Sequence, residues 1–216
     1  MENGTVIPLF PLGVVIFPGM PLPLHIFEER YKQMIGECLY EKKAFGIVFF
    51  DGTRIHETGC SAEIVKVIRE YPDGRSDILV KGKNRFFIKK LIKEKAYTEA
   101  GVEFFDDKME KITIEWQEYA AKGVKLLWQL GILPHENEAE ELLERLDFRG
   151  ISFLIADCED FTWDEKQAFL EMTSTFERLR KGTLSLEKLL ERNRLNLEIK
   201  KIIGGNGNVK KYIKII

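Results

Sequence analysis

The chain has 216 residues, of which 44% are hydrophobic, and 33 lysine and arginine residues stand against 35 aspartate and glutamate residues. This length and apolar content are enough to build a buried core, which excludes a disordered chain. The formal net charge of -2 excludes a general attraction to nucleic acid or to an anionic membrane, so either partner would need a local basic patch.

Location and redox state follow from two further features. No apolar run approaches the roughly 20 residues that a membrane span needs, and the first residues lack the basic start and apolar stretch of a signal peptide. We therefore expect no membrane contact and a cytoplasmic protein. The cysteines Cys38, Cys60 and Cys158 are odd in number and far apart in sequence, which is typical of reduced thiols.

The chain is predicted to begin with short strands and one helix. Residues 5–26 are apolar but contain five prolines, and because proline cannot donate to a sheet ladder, only short or edge strands are expected there. From Glu28 to about Lys42, apolar residues recur at three and four positions, which predicts a helix with one buried face. The predicted buried residues are Tyr31, Met34, Ile35 and Leu39.

The following stretch is predicted to consist of strands separated by turn residues. Pro72, Asp73 and Gly74 together predict a chain reversal, because they favour the backbone angles and local hydrogen bonds of a turn. Gly82 is expected to interrupt the strand that follows this turn. The predicted strands are Phe45–Phe50, Ile64–Tyr71, Ile78–Val80, Phe86–Ile88 and Tyr97–Phe105. About six strands in all are expected, which favours a closed or partly closed barrel.

After about Asp107 the apolar period becomes helical. A stripe from Trp116 to Leu130 predicts a long helix that ends near Gly131, and two shorter helices are expected at 136–146 and 148–159. Capping signals follow, in which a hydroxyl side chain precedes glutamate by three residues. They occur at Thr162 with Glu165 and at Ser174 with Glu177, and Ser185 is predicted to open a last helix that runs to about Ile203.

These elements predict an α+β fold with three parts. Residues 1–107 are expected to form the β-barrel with one covering helix. Residues 108–203 are expected to form a helical extension packed on the barrel. Residues 204–216, which begin with a glycine-rich stretch, are expected to form a flexible tail.

Signals for chemistry are weak. No glycine-rich loop is followed by lysine and a hydroxyl residue, as a phosphate-binding loop requires. His56 and Cys60 are four residues apart, but no second pair accompanies them, and zinc needs several such ligands. His25, in an apolar strand pattern, is interpreted as a core histidine. We therefore expect no catalytic residues, no metal and no cofactor.

One local basic run provides an alternative function. Lysines and one arginine are interleaved there with Phe86 and Phe87, a pattern that could bind phosphates and stack bases. The basic residues are Lys81, Lys83, Arg85, Lys89, Lys90, Lys93 and Lys95. RNA binding through Lys83, Lys89 and Lys90 is therefore kept as the alternative. The other interpretation of the run is a solvated strand face whose aromatic residues point into the core.

Several segments together resemble the Lon N-terminal domain family. The opening PLFPLGVVIFPGMPLPLHIFEERYKQMI resembles the family's proline-punctuated strands and first helix, and TGCSAEI with DGRSDILVKGKNRFFI resembles its central strands. The segment ISFLIADCEDFTWDEKQAFLEMTSTFERL resembles its helical portion. The likeness covers roughly residues 5 to 200.

The resemblance implies a PUA-like β-barrel plus helices, and a module that binds unfolded or extended polypeptide or a protein partner. In the family's full protease, separate ATPase and Ser-Lys protease domains carry out the chemistry, so we do not transfer proteolysis to this chain. In the full protease this domain also contributes to assembly of the protease, so the resemblance is compatible with a homo-oligomer. Alignment places Phe27, Glu29, Arg30 and Gln33 at the substrate-contacting first helix, with Gln33 in place of a residue that is often basic.

Overall fold

The computed structural model describes residues 5–205. Its first part contains six strands and one helix. The strands are β1 Thr5–Leu12, β2 Pro21–Ile26, β3 Phe45–Phe50, β4 Ile55–Glu70, β5 Ser76–Ile92 and β6 Glu99–Phe105, and the helix is α1 Glu29–Glu41. The expected number of strands and the α+β class are confirmed.

The six strands form one sheet, in which five strands close into a ring and β2 remains at an edge. Their order is β2-β5-β4-β3-β1-β6, and an additional pairing joins β5 to β6. The first half of β5 pairs with β2, while its second half, from Arg85 to Ile92, pairs with β6. Only β1 and β3 are parallel. The long strand β5 therefore bends from one side of the sheet to the other and closes the predicted barrel.

The prolines of β1 are accommodated by a change of partner along the strand. Residues 5–8 pair with β6, whereas residues 9–12 pair with β3. Each half of β1 thus pairs with a neighbouring strand on one side only. Because the other side needs no backbone N–H, Pro8 and Pro11 can lie in a strand between two neighbours. The prolines of β2 lie at an edge, because β2 pairs only with β5. The expectation of short or edge strands is met by both arrangements.

Two strand predictions were wrong. Gly82 does not interrupt the strand after the turn, because β5 runs continuously from Ser76 to Ile92. The backbone of Phe17 lies against Gly82 at a distance that leaves no room for a side chain. The glycine therefore serves a close approach of two backbone segments rather than a break. Strand β4 also begins nine residues before the predicted Ile64, at Ile55.

Helix α1 buries a slightly different face from the one predicted. Tyr31, Met34 and Ile35 are buried as expected, but the fourth buried residue is Cys38, and the Leu39 side chain is 42% exposed. The prediction for Leu39 was wrong because both positions fit helical spacing from Ile35, at three and four residues, and the packing partner selects between them.

The second part of the chain is helical. Its helices are α2 Ile114–Gln129, α3 Glu136–Arg145, α4 Phe148–Ala156, α5 Trp163–Glu171 and α6 Thr175–Gly205. The Thr162–Glu165 capping box is confirmed, and the Ser174 hydroxyl accepts a hydrogen bond from the Glu177 backbone N–H at 3.0 Å. Ser185 does not open a helix, because α6 passes through it while Leu179, Leu186 and Leu189 keep one buried face. Of the predicted tail, residues 206–216 lie outside the described residues.

Barrel and helices share one hydrophobic core. The same cluster contains Ile26, Phe45 and Val80 from the strands and Val124 and Leu186 from the helices. Side-chain contacts cross the same boundary, since the rings of Phe17 and Phe153 lie 5.8 Å apart and Gln167 Nε2 donates to the Thr58 carbonyl at 3.1 Å.

Limited proteolysis tests the predicted boundary between residues 107 and 108. Lys108 and Lys111 lie in the exposed connection between β6 and α2, where trypsin can cleave. We expect a chain nicked there to elute as one particle and to melt in one transition, because the two pieces still share the core. Two fragments that separate in size-exclusion chromatography and melt independently would show that the barrel and the helices are autonomous domains.

Candidate functional site

The four residues predicted to bind polypeptide lie where β2 passes into α1. Phe27 is in the connection, with 59% of its side chain exposed, and Glu29, Arg30 and Gln33 lie exposed on the first turns of α1. Glu28, in an extended conformation, precedes the helix. We call Phe27, Glu29, Arg30 and Gln33 the β2–α1 surface.

Phe27 belongs to a row of aromatic rings. The His25 ring stacks near Phe27 with centroids 5.9 Å apart, and it meets the Tyr71 ring edge-on at 5.9 Å. Asp77 fixes this row, since its carboxylate accepts from the Tyr71 hydroxyl at 2.8 Å and lies 2.6 Å from His25 Nδ1. These hydrogen bonds, first that of His25 and then that of Tyr71, lower the pKa of Asp77. The interpretation of His25 as a core histidine was wrong, because its side chain is exposed.

The polar side chains of the β2–α1 surface have partners within the chain. Arg30 Nε donates to the Glu28 carboxylate at 2.9 Å, and the Arg30 guanidinium lies 4.6 Å from the Tyr31 ring centroid. Glu29 pairs with Lys32 at 2.7 Å, and Gln33 Nε2 donates to Glu37 at 2.8 Å. A ligand would therefore have to exchange partners with these groups, whereas the Phe27 ring is open to contact as it stands.

The free edge of β2 lies beside this surface. Since β2 pairs only with β5, one side of its backbone has no ladder partner in the described chain. Pro21 and Pro23 have no N–H, so an added strand would find mainly carbonyl acceptors along this edge. An extended peptide can donate to these carbonyls but cannot complete a regular two-way ladder. Such an edge favours transient pairing over stable strand addition.

In the structure, the basic residues of this run have different surroundings. Lys83 pairs with Glu63 at 3.1 Å and Lys89 pairs with Glu103 at 2.5 Å, while Lys90 is exposed on the half of β5 that faces β6. The interleaved Phe86 is fully buried, and the Phe87 ring stacks on Phe105 with centroids 4.3 Å apart. The two rings thus pack against neighbouring rings, and four of the seven basic residues, Lys83, Arg85, Lys89 and Lys95, pair with acidic side chains.

Sequence reasoning missed a buried charge cluster, which we call the Asp107 cluster: Arg85, Asp107, Thr175 and Arg178. Both arginine side chains are fully buried and contact the Asp107 carboxylate. Arg85 also donates to the Leu170 carbonyl at 3.0 Å, and Arg178 donates to the Met172 carbonyl at 2.8 Å. The only available signal was that Arg85 is the single arginine in a run of lysines, and arginine is the cation suited to buried ion pairs.

The Asp107 cluster joins β5, the segment after β6, and α6. The Arg178 guanidinium also lies 3.8 Å from the centroid of the Phe153 ring of α4. Burial by itself would raise the pKa of the Asp107 carboxyl, but hydrogen bonds and charge from Arg178, together with Thr175 and Arg85, lower it to about 2. The cluster is therefore ionised near neutral pH and ties the barrel to the helices.

Reactive groups do not assemble elsewhere in the described chain. Burial raises the pKa of Cys38 to about 11 and that of Cys60 to about 12, so both thiols are protonated near neutral pH. Within residues 5–205, no group of three or more histidine, cysteine, aspartate or glutamate side chains could hold a metal ion. In the same residues, no helix is both long and apolar enough to cross a membrane.

These features define the class of the protein: a six-stranded sheet, closed through five of its strands, that shares one core with a C-terminal helical region. The chain belongs to the ATP-dependent protease La (LON) substrate-binding domain family, whose model matches residues 6–188. The resemblance identified from the sequence is thereby confirmed.

Curated relatives include Lon protease 2 of Myxococcus xanthus, 30% identical over 206 residues, which are 90% of this chain and 24% of that protein. The Lon protease of Parabacteroides distasonis is 32% identical over 113 residues, which are 48% of this chain and 14% of that protein. The chain therefore spans a quarter or less of the length of these relatives.

Solved structures show the same fold at low sequence identity. The Lon N-terminal domain protein from Xanthomonas campestris superposes with a TM-score of 0.65 and 21% identity, covering 82% of this chain and 96% of that chain. The N-terminal domain of the Mycobacterium avium complex Lon protease gives a TM-score of 0.66 and 21% identity, covering 85% and 98%. The expected fold class is confirmed.

Proposed function

We propose that this chain is a non-catalytic binding module that holds unfolded or extended polypeptide through the β2–α1 surface. The observation that carries the proposal is the Phe27 ring, which is 59% exposed and lies beside the His25 ring, itself in contact with Tyr71. An exposed ring held by its neighbours can bury apolar side chains of a client without first being ordered itself. Membership of a family described as substrate-binding supports the same role.

The arrangement favours weak and sequence-tolerant binding. Apolar contact with Phe27 has no directional requirement, and the carbonyls of the β2 edge accept hydrogen bonds from any extended backbone. The client, however, loses conformational freedom when it is held, and this entropy loss offsets part of the gain. Such a module suits the capture of many clients.

We expect Phe27→Ala to weaken the binding of labelled, permanently unfolded polypeptides about tenfold, as truncation of an aromatic anchor typically does. The melting temperature should change little, because the ring is mostly exposed. Fluorescence anisotropy measures the affinity. Met109→Ala is the matched control, since Met109 is exposed but lies in the connection between β6 and α2. Equal affinities for the two variants would refute the assignment of the site.

A second comparison separates polypeptide from RNA. Combined substitution of Glu29 and Arg30 with alanine should reduce polypeptide capture, since both residues flank Phe27. Combined substitution of Lys83, Lys89 and Lys90 with alanine should leave capture through the β2–α1 surface unchanged. If single-stranded RNA binds more tightly than every polypeptide and the lysine variant abolishes that binding, RNA replaces polypeptide as the ligand of this module.

A further inference from the structure

A groove of about 510 Å³ lies between the C-terminal end of α1 and strands β4, β5 and β6. Its lining contains Lys42, Lys43 and Lys83 but only one acidic side chain, Glu63, although the whole chain has a net charge of -2. We propose that this groove binds an acidic segment of a polypeptide that carries an apolar side chain. The proposal does not rest on the β2–α1 surface, which lies at the other end of α1.

The apolar part of the groove consists of two partly exposed side chains. Leu39 of α1 is 42% exposed and Phe104 of β6 is 41% exposed, and both line the groove. The Phe104 ring is supported from below by an edge-on contact with the buried Phe86 ring, whose centroid is 6.3 Å away. A leucine or phenylalanine side chain of a ligand could therefore be buried between two apolar walls, one of which packs on the buried Phe86 ring.

A β-bulge brings Lys83 to the groove. Between the paired residues Cys60–Arg85 and Ala62–Gly82, the single residue Ser61 of β4 opposes two residues of β5, Lys83 and Asn84. The Ser61 hydroxyl completes the local hydrogen bonding, accepting from the Asn84 N–H at 3.1 Å and lying 3.2 Å from the Asn84 carbonyl oxygen. Bulges redirect side chains relative to a regular strand. Here the extra residue places Lys83 and Asn84 at the groove.

Lys42 occupies a backbone conformation that is unfavourable for lysine. It ends α1 with φ 52° and ψ 41°, in the left-handed region, and it is the only non-glycine residue with positive φ among residues 5–205. Glycine would adopt these angles without a steric cost. Backbone strain of this kind is concentrated at functional sites. The lysine side chain at the groove therefore points to a role that glycine could not fill.

The charges of the groove fit an acidic ligand. Lys43 pairs with Glu41 at 2.7 Å and Lys83 pairs with Glu63 at 3.1 Å, and all four side chains are more than a third exposed, so these pairs are weak and exchangeable. Lys42 forms no ion pair with the described part of the chain. Ligand carboxylates could thus pair with Lys42 directly and compete for Lys43 and Lys83. A basic or neutral segment would gain none of these contacts.

The test uses short labelled peptides in which leucine and phenylalanine are flanked by aspartate and glutamate, compared with peptides that carry lysine at the flanking positions. We expect the full chain to bind the acidic peptide, to bind it more weakly as salt is raised, and to bind the lysine peptide more weakly than the acidic one, because the lysine peptide gains no charge pairing in the groove. Single-stranded RNA of similar charge is the competing probe. Equal binding of both peptides, or tighter binding of RNA, would overturn the proposal.

Lys42→Gly separates a binding role from a structural one. The variant should bind the acidic peptide about threefold more weakly, because one exposed charge is lost. Its melting temperature should rise, because glycine relieves the left-handed strain. Adding Lys83→Glu should weaken binding at least tenfold. Unchanged affinity for the acidic peptide, whichever way the melting temperature moves, would show that Lys42 only ends the helix, and the proposal would fail.

Two control variants test whether the acidic peptide binds in the groove. Lys90→Glu reverses a charge on the same strand outside the groove and should leave the affinity for the acidic peptide unchanged. Phe27→Ala should also leave it unchanged, while it weakens the capture of unfolded polypeptides. The acidic-peptide proposal and the proposed function of the β2–α1 surface can therefore fail separately. Loss of acidic-peptide binding in the Lys90 variant equal to that in the variant with both Lys42→Gly and Lys83→Glu would overturn the assignment to the groove.

Discussion

Asp107→Ala is expected to lower the free energy of unfolding by about 3–5 kcal/mol, as is typical when one partner of a buried ion pair is removed. The substitution leaves the fully buried guanidinium groups of Arg85 and Arg178 without their shared counterion. Arginine cannot relieve this cost by losing its proton under ordinary conditions. Because the Asp107 cluster ties β5 to α6, the helices should also loosen from the barrel. Urea unfolding, monitored by fluorescence, measures this loss of stability.

The neighbouring Asp106 is the matched control. Its side chain is 70% exposed, pairs with Arg149 at 2.7 Å and lies 4.0 Å from the Arg85 guanidinium, so Asp106→Ala should cost about 1 kcal/mol or less. If the two variants unfold at the same urea concentration, the Asp107 cluster does not stabilise the fold in the way proposed.

The difference in the free energy of unfolding between the native chain and the Asp107→Ala variant should depend on pH. The folded-state pKa of Asp107, about 2, lies below its value of about 3.9 in an unfolded chain. The stabilisation that the Asp107 charge gives the folded state is therefore complete above pH ~4. As the pH falls toward 2, roughly 2 kcal/mol of this stabilisation is lost. The stability difference between the two chains should shrink over that range. A difference that is constant from pH 5 to pH ~2 would contradict the lowered pKa.

Gly82→Ala is expected to destabilise the fold by on the order of 3 kcal/mol. A Cβ atom at this position would lie 2.2 Å from the Phe17 carbonyl oxygen and 2.9 Å from the Phe17 carbonyl carbon, so one backbone segment must move. Two hydrogen bonds would be disturbed, from Gly19 N–H to the Gly82 carbonyl and from Gly82 N–H to the Met20 carbonyl, both 2.9 Å. Thermal unfolding measures the effect.

Gly101→Ala on β6 is the matched control for this prediction. A Cβ atom there would meet only the Lys90 carbonyl oxygen, at 4.0 Å. Its substitution should change the stability by less than about 1 kcal/mol. The β1–β2 loop leads into β2 and so to Phe27, which means that Gly82→Ala should also weaken polypeptide capture. A Gly82 variant as stable as the Gly101 variant would show that the loop can move away at little cost.

Local sequence was sufficient for most of the elements. The capping box at Thr162, the turn at residues 72–74 and the apolar stripe of α2 are each decided by residues within one or two turns of chain. These short-range interactions are the same wherever the segment is placed, so they could be predicted before the fold was known. The family resemblance added the order of the elements and the general position of the β2–α1 surface.

Tertiary structure alone decided which side chains are buried, paired or free. Arg85 has the same sequence surroundings as the lysines beside it, yet it is buried because Asp107, 22 residues later, reaches it when β6 pairs with β5. His25 lies on the exposed face of β2, where Asp77 is its partner across the β2–β5 ladder and Tyr71, in the turn between β4 and β5, meets its ring edge-on. The basic groove at the end of α1 likewise requires a bulge between β4 and β5. Such contacts join residues far apart in the chain, and local patterns of apolar and charged residues contain no information about these partners.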